Sequence, residues 1–296
     1  MSITETWLGT ARLPFLVFTP VCVLLGVVCA QAMQPVSPWA IALVLCGALG
    51  AHISVNAFNE VLDFRSGLDA LTVKTPFSGG SGTLIAHPEL VRSAWVLAYG
   101  SLLICVLVGI YFVVIQGFAL LPIGLMGVTL VLAYTRAITR VPMLCLMAPG
   151  LGFGPLMVLG TQLALTGHTS IMAWVASLVP FFLANNLLLL NQFPDAEADR
   201  QVGRRHLVIV AGCAKAARWY AAQAALAHLC LITGVLTRTL PWGAAAGLLM
   251  LPLTITTARQ VLIHAGDTTR LLPAMARNVQ ITLLTPTLMA LGLWLT

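Results

Sequence analysis

The sequence predicts an all-α protein made of membrane-spanning helices. Three observations carry this. Of 296 residues, 59% are hydrophobic and only 8% are charged, where soluble domains average about 25% charged. The mean hydropathy is +0.97. The apolar residues fall in long runs that lack the strongly polar face of an interfacial helix, and each run approaches the roughly 20 residues needed to cross the hydrocarbon core.

Nine such runs follow one another, at 13–33, 38–58, 94–115, 118–135, 148–166, 171–190, 219–237, 240–258 and 275–296. The fourth and fifth are interrupted by Pro and Gly, which membrane helices tolerate when neighbours satisfy the backbone. Met1 to Trp7 lack a basic region, so the first run is a span and not a cleavable signal. The basic residues set the orientation. Fourteen of the 15 Lys and Arg fall on one side of the nine-span arrangement and only Arg238 falls on the other. That bias predicts a multi-pass protein of the cell's inner (plasma) membrane with a cytoplasmic N-terminus. The segments 59–93, 191–218 and 259–274 are then long cytoplasmic loops. Topology and an anionic ligand account for the net charge of +6 without a nucleic-acid partner. The whole chain, 1–296, reads as a single domain. Six of seven Cys lie in or beside apolar runs, Cys213 lies in a loop, and no Cys-x-x-Cys occurs, so neither a disulfide framework nor a zinc site is expected. The six His are scattered and read as packing or loop residues.

The chemistry is concentrated in two segments. Asn59-Glu60-Val61-Leu62-Asp63 continues to Asp69, and Asn191-Gln192-Phe193-Pro194-Asp195 continues to Asp199. Each has Asn, then Asp four residues later, then a further Asp, and each closes an apolar run. They hold six of the chain's nine acidic residues. At i, i+4 spacing, Asn191, Asp195 and Asp199 share one helix face, as do Asn59 and Asp63. Asp69 falls off that face unless the backbone turns at Gly67. Pro194 suits the first turn of a new helix, so a break is expected there. Carboxylates and amide oxygens without Cys or His suit a hard cation. Mg²⁺ typically takes one or two carboxylates plus substrate phosphates, and two such ions between the clusters would hold a diphosphate. Arg65, Lys74, Arg136, Arg140, Arg204 and Arg205 are candidates for the remaining positive charge. Solvated loop acids balancing nearby Arg and Lys are the plainer reading of one such segment, but two matched segments at equivalent positions favour cation binding. Asn185 and Asn186, inside the sixth run, are either functional or bridges between helices. Gly79, Gly80 and Gly82 mark a flexible loop, a lid or a plain linker.

With these residues in place, the chain resembles the UbiA superfamily of intramembrane prenyltransferases, and most the branch that makes 1,4-dihydroxy-2-naphthoate polyprenyltransferases. Thr75-Pro76-Phe77-Ser78-Gly79-Gly80-Ser81-Gly82, Ala133-Tyr134-Thr135, Gly154-Pro155-Leu156, Gly203-Arg204-Arg205-His206-Leu207 and Arg12-Leu13-Pro14 add to the two acidic motifs. The chain departs from the branch at Glu60, where Asp is common, and at Ala148 to Phe153, where Leu-Gly-Glu is usual. The resemblance implies nine helices around a central cavity under cytoplasmic cap loops. It implies that Asn59, Asp63, Asp69, Asn191, Asp195 and Asp199 bind Mg²⁺ and through it a prenyl diphosphate. Asp63, Asp195 and Asp199 would carry the ionisation. Tyr134 would either line the path of the cation or anchor the membrane interface. Arg65, Lys74, Arg140, Arg204 and Arg205 would face the diphosphate. The implied reaction transfers the prenyl group, through an allylic carbocation, to an aromatic acceptor such as dihydroxynaphthoate or a similar quinone precursor of menaquinone type. A related terpene cyclase would quench the same cation internally. A secondary transporter, the main alternative of another class, places its charges near the midplane, whereas here they crowd one face. A CDP-alcohol phosphotransferase would carry an Asp-Gly-x-x-Ala-Arg motif, which is absent.

Overall fold

A computed structural model describes residues 3–296, and among these every regular element is helical. Among the described residues, a short helix, Ile3–Ala11, precedes helical segments that overlap the apolar runs. They are α1 (Leu13–Gln31), α2 (Pro38–Ser66), α3 (Pro88–Gln116), α4 (Phe118–Ala133), α5 (Pro142–Thr166), α6 (Ile171–Gln201), α7 (Cys213–Leu236), α8 (Trp242–His264) and α9 (Thr268–Trp294). Seven of the described helices, α1 to α3 and α5 to α8, are long and apolar enough to cross a membrane. The α4 segment is shorter, and α9 carries Arg270, Arg277 and Asn278 within its length.

The helices begin and end for local reasons. Pro38 and Pro142 stand in the first turns of α2 and α5, where a missing N–H costs nothing, and Pro252 stands where α8 passes from 3-10 form (Trp242–Met250) into α form. The Ser170 hydroxyl accepts the Ala173 N–H and caps α6. Gly67 closes α2 with φ +77°, a conformation that favours glycine.

Burial ranks the helices. In α6, 67% of the most apolar stretch is buried, against 22% in α3, so α6 forms the axis and α3 faces lipid. The main apolar cluster joins α1, α5, α6, α7, α8 and α9. Polar side chains tie the axis to its neighbours. Asn185 Oδ1 accepts the Gly150 N–H at 2.7 Å, Asn186 Nδ2 donates to the Tyr220 carbonyl at 2.9 Å, and Tyr220 donates to Asn278 Oδ1 at 2.8 Å. Asn185 and Asn186 are therefore bridges between helices. Gly150 and Gly154 let α5 approach the α6 backbone at Phe181 and Ser177.

Two expectations are corrected here. The acidic segments are not loops: Asn59 to Asp63 lies in the last turns of α2, and Asn191 to Asp199 lies in the last turns of α6. No new helix begins at Pro194, because α6 runs unbroken to Gln201 through Pro180 and Pro194. Residues 148–153 are likewise helical, and α5 winds wider, in π form, over Gly152–Leu159. That wider turn accommodates Pro155, which has no N–H to give.

Candidate active site

A cavity of about 430 Å³ lies between α1 and α6, with α2 as its long wall. Val44, Gly47, Ala48, Ala51, Val55, Asn59 and Asp63 face it at i, i+3 and i+4 steps. From Val44 to Asp63 the stripe runs 19 residue steps, about 28 Å of helix at roughly 1.5 Å each. The cavity is apolar at the Val44 end, where Phe112, Leu120 and Ala164 close it, and polar at the Asp63 end.

All six oxygen donors from the two sequence motifs line this one cavity. Asn59 and Asp63 arrive on α2. The left-handed turn at Gly67 starts a one-turn helix, Leu68–Leu71, that carries Asp69 back to the same wall. Asn191, Asp195 and Asp199 descend the facing side of α6 at i, i+4, i+8. The two motifs are joined by Arg204, which donates to Asp199 Oδ1 at 2.9 Å and to Asp63 Oδ1. His206 Nε2 holds the other oxygen of Asp199 at 3.0 Å. Asn59 Oδ1 accepts from Thr135 Oγ1, in the segment that also brings Tyr134 to the cavity.

The electrostatics follow from crowding and burial. Burial, with Glu60 and Asp63 close by, raises the Asp69 pKa from 3.8 to about 7. Burial opposes the charge on Arg204, but Asp63 and Asp199 outweigh it and hold its pKa above the ordinary arginine value. Asp69 Oδ2 and Asp195 Oδ1 are buried oxygens without a hydrogen-bond partner. Such oxygens are costly to leave bare and suit a hard cation. Among the described residues, no three carboxylate, imidazole or thiolate side chains converge closely enough to hold an ion by themselves. The donor set therefore fits an ion that completes its shell with phosphate oxygens and water, as Mg²⁺ does.

Of the five basic residues expected at a diphosphate, only Arg204 lines the cavity. Arg65 stands two residues past Asp63, about 200° around the helix, and lies over the Trp95 ring at 5.0 Å. Lys74 is exposed, and its Nζ donates to the Ser81 carbonyl at 3.1 Å. Arg140 and Arg205 are exposed outside the cavity, and the Arg205 N–H is anchored on the Thr139 carbonyl at 2.9 Å.

Other residues enter the site unforeseen. Arg12 adopts φ +53°, strained for a residue other than glycine, and lines the cavity. It donates to Glu60 Oε1 at 2.7 Å. Glu60 is fully buried and also accepts the Ser81 N–H at 2.7 Å and the Ser81 hydroxyl at 2.8 Å. At the position where the family commonly has Asp, this chain thus has a carboxylate committed to holding Arg12 and the glycine-rich loop. His52, bonded to Thr19 at 2.7 Å, and His206 both line the cavity, so they are not simple packing residues. Gln192 was legible: it precedes Asp195 by three and Asp199 by seven residues, on the same helical face.

Apolar helices closed around one elongated cavity, with matched acidic motifs at its polar end, define an integral membrane enzyme built for an apolar substrate with a charged head. The chain belongs to the UbiA prenyltransferase family, whose profile matches residues 19–278, and is a prenyltransferase. It is 29% identical to the 1,4-dihydroxy-2-naphthoate octaprenyltransferase of Bacillus subtilis (strain 168), over 76% of this chain and 71% of that protein. It is 28% identical to the enzyme of the same name from Escherichia coli (strain K12), over 100% and 97%. Its fold is similar to that of a UbiA homologue from Archaeoglobus fulgidus solved with GPP and Mg²⁺, with a TM-score of 0.63 and 13% identity over 98% of this chain and 100% of that one.

Proposed function

We propose that this prenyltransferase moves the prenyl group of a prenyl diphosphate onto a naphthoate-type aromatic acceptor, in the manner of menaquinone precursors. The carrying observation is that six oxygen donors from two separate motifs meet at the polar end of one apolar cavity. The names of the two bacterial relatives favour dihydroxynaphthoate as acceptor.

Asn59, Asp63, Asp69, Asn191, Asp195 and Asp199 would hold Mg²⁺, which supplies charge neutralisation to the departing diphosphate. Arg204 adds a fork of donors matched to phosphate oxygens. The allylic C–O bond breaks and its electron pair stays on the diphosphate oxygen. The carbocation lies where Tyr134 and Phe153 line the cavity, screened from water by apolar helices. An electron-rich ring carbon then forms the new C–C bond, and the ring recovers aromaticity by losing a proton or its carboxylate. The apolar length of α2 accepts the isoprenoid tail. The chain acts as a single transmembrane domain of the plasma membrane, with the site on its cytoplasmic, basic side.

The test supplies purified protein with geranyl, farnesyl and longer prenyl diphosphates, with or without dihydroxynaphthoate, in Mg²⁺ or EDTA. Mass spectrometry of the lipids should show a Mg²⁺-dependent prenyl naphthoquinol. Diphosphate release yielding only a hydrocarbon or terpene alcohol would replace this reading with a cyclase.

A further inference from the structure

Among the described residues, Arg204 is the one side chain that hydrogen-bonds to both acidic motifs. Its Nη1 donates to Asp199 Oδ1 at 2.9 Å and its Nη2 donates to Asp63 Oδ1, while His206 takes the second Asp199 oxygen at 3.0 Å. Asp63 and Asp199 therefore have their carboxylates engaged by the chain's own cation. Asp69 and Asp195 each keep a buried oxygen unpartnered in the same cavity. A guanidinium and a divalent ion seeking the same carboxylate oxygens repel each other, and the repulsion grows in a poorly hydrated cleft. Diphosphate oxygens offer the guanidinium the same fork geometry that the carboxylates offer.

The backbone is arranged for a side-chain exchange. The Arg204 N–H is fixed on the Asp199 carbonyl at 3.0 Å, and the next N–H on the Thr139 carbonyl at 2.9 Å. Before it, Gly203 has φ +81° with open space around it. The Arg204 side chain itself lines the cavity, so the anchor stays while the side chain has room to re-aim within it.

We propose that Arg204 is an exchangeable placeholder: it bridges Asp63 and Asp199 in the substrate-free protein and transfers to the diphosphate when metal takes those carboxylates. This rests on the metal–diphosphate reading above. Its consequence is that metal and diphosphate bind as a coupled pair, with metal alone binding weakly. Such coupling is reciprocal between the two ligands.

The test uses full-length protein in detergent and Mn²⁺ as a paramagnetic probe, with bound metal counted by electron paramagnetic resonance, with and without inorganic pyrophosphate. In the wild type, pyrophosphate should tighten Mn²⁺ binding about tenfold or more. In Arg204→Gln, Mn²⁺ alone should bind about tenfold tighter than in the wild type, and the pyrophosphate effect should shrink below about threefold. Arg204→Lys keeps the charge without the fork and should fall between the two; it serves if the Gln variant does not fold. Equal Mn²⁺ affinity with and without pyrophosphate in the wild type would overturn the exchange, as would variants that bind Mn²⁺ alone no more tightly. Failure of the wild type to bind Mn²⁺ in either condition would overturn the metal reading itself, a distinguishable result.

Discussion

Asp195 and Glu60 are both acidic residues beside the cavity, yet their surroundings give them opposite duties. Asp195 leaves one oxygen bare and its carboxylate is otherwise tied to the Ser78 side chain, so its loss breaks a single internal hydrogen bond. We expect Asp195→Ala to lower turnover by at least about 10²-fold, the scale for removing a group that stabilises developing charge. Its melting temperature in detergent should stay near the wild-type value; an active variant would remove Asp195 from the mechanism. Glu60 accepts three hydrogen bonds, one from Arg12 and two from Ser81. Glu60→Ala strands a partly buried guanidinium and should cost about 3 kcal/mol of stability, read by thermal unfolding, while Mg²⁺ still activates whatever folds. Asp69 brings a pH dependence. With its pKa raised to about 7, it keeps its proton in the folded protein at mildly acidic pH. Its contribution to the metal-free fold is full in acid and is lost as pH climbs from about 4 through 7. Metal needs the carboxylate, so Mg²⁺ affinity should rise as pH rises through 7, with proton release. Calorimetry at pH 6 and pH 8 checks this, and equal affinities would disprove it.

At the scale of elements, the glycines of two helices separate packing from cavity. Gly150 on α5 meets the Phe181 carbonyl and Asn185 of α6 where a Cβ would stand. Gly150→Ala should therefore force the helices apart and cost about 1–3 kcal/mol, measured by unfolding in detergent. Gly127 on α4 lines the cavity and has nothing within 4 Å of a built Cβ. Gly127→Ala should fold at least as well as the wild type. Gly127→Leu should project into the tail space and shorten the longest prenyl diphosphate accepted, as product analysis over a chain-length series would show. The elements themselves were legible in the sequence, since apolar runs of about 20 residues leave few other solutions. Their ends were not. Hydropathy drops at Asn59 and Asn191, but both helices continue for two or more turns because their polar residues face a shared cavity and not bulk water.

For the whole molecule, the site lies at the end of the bundle that carries nearly all the basic residues. Thr239, beside Arg238 at the far end of α7, marks the opposite side. In intact cells stripped of their outer envelope, a membrane-impermeant maleimide should label Thr239→Cys and leave Cys213 untouched; the reverse pattern would invert the orientation. The sequence by itself determined the class of fold and the two acidic motifs, because hydropathy and i, i+4 spacing are local properties of a helix. It also showed that both motifs end apolar runs on one side. The tertiary arrangement alone settles that the two motifs face one cavity, that Arg204 alone of the six candidate cations reaches it, and that Arg12 and His206 join them. The direction of a side chain depends on how helices rotate against each other, and that rotation is set by contacts such as Gly150 on Asn185, between residues far apart in the chain.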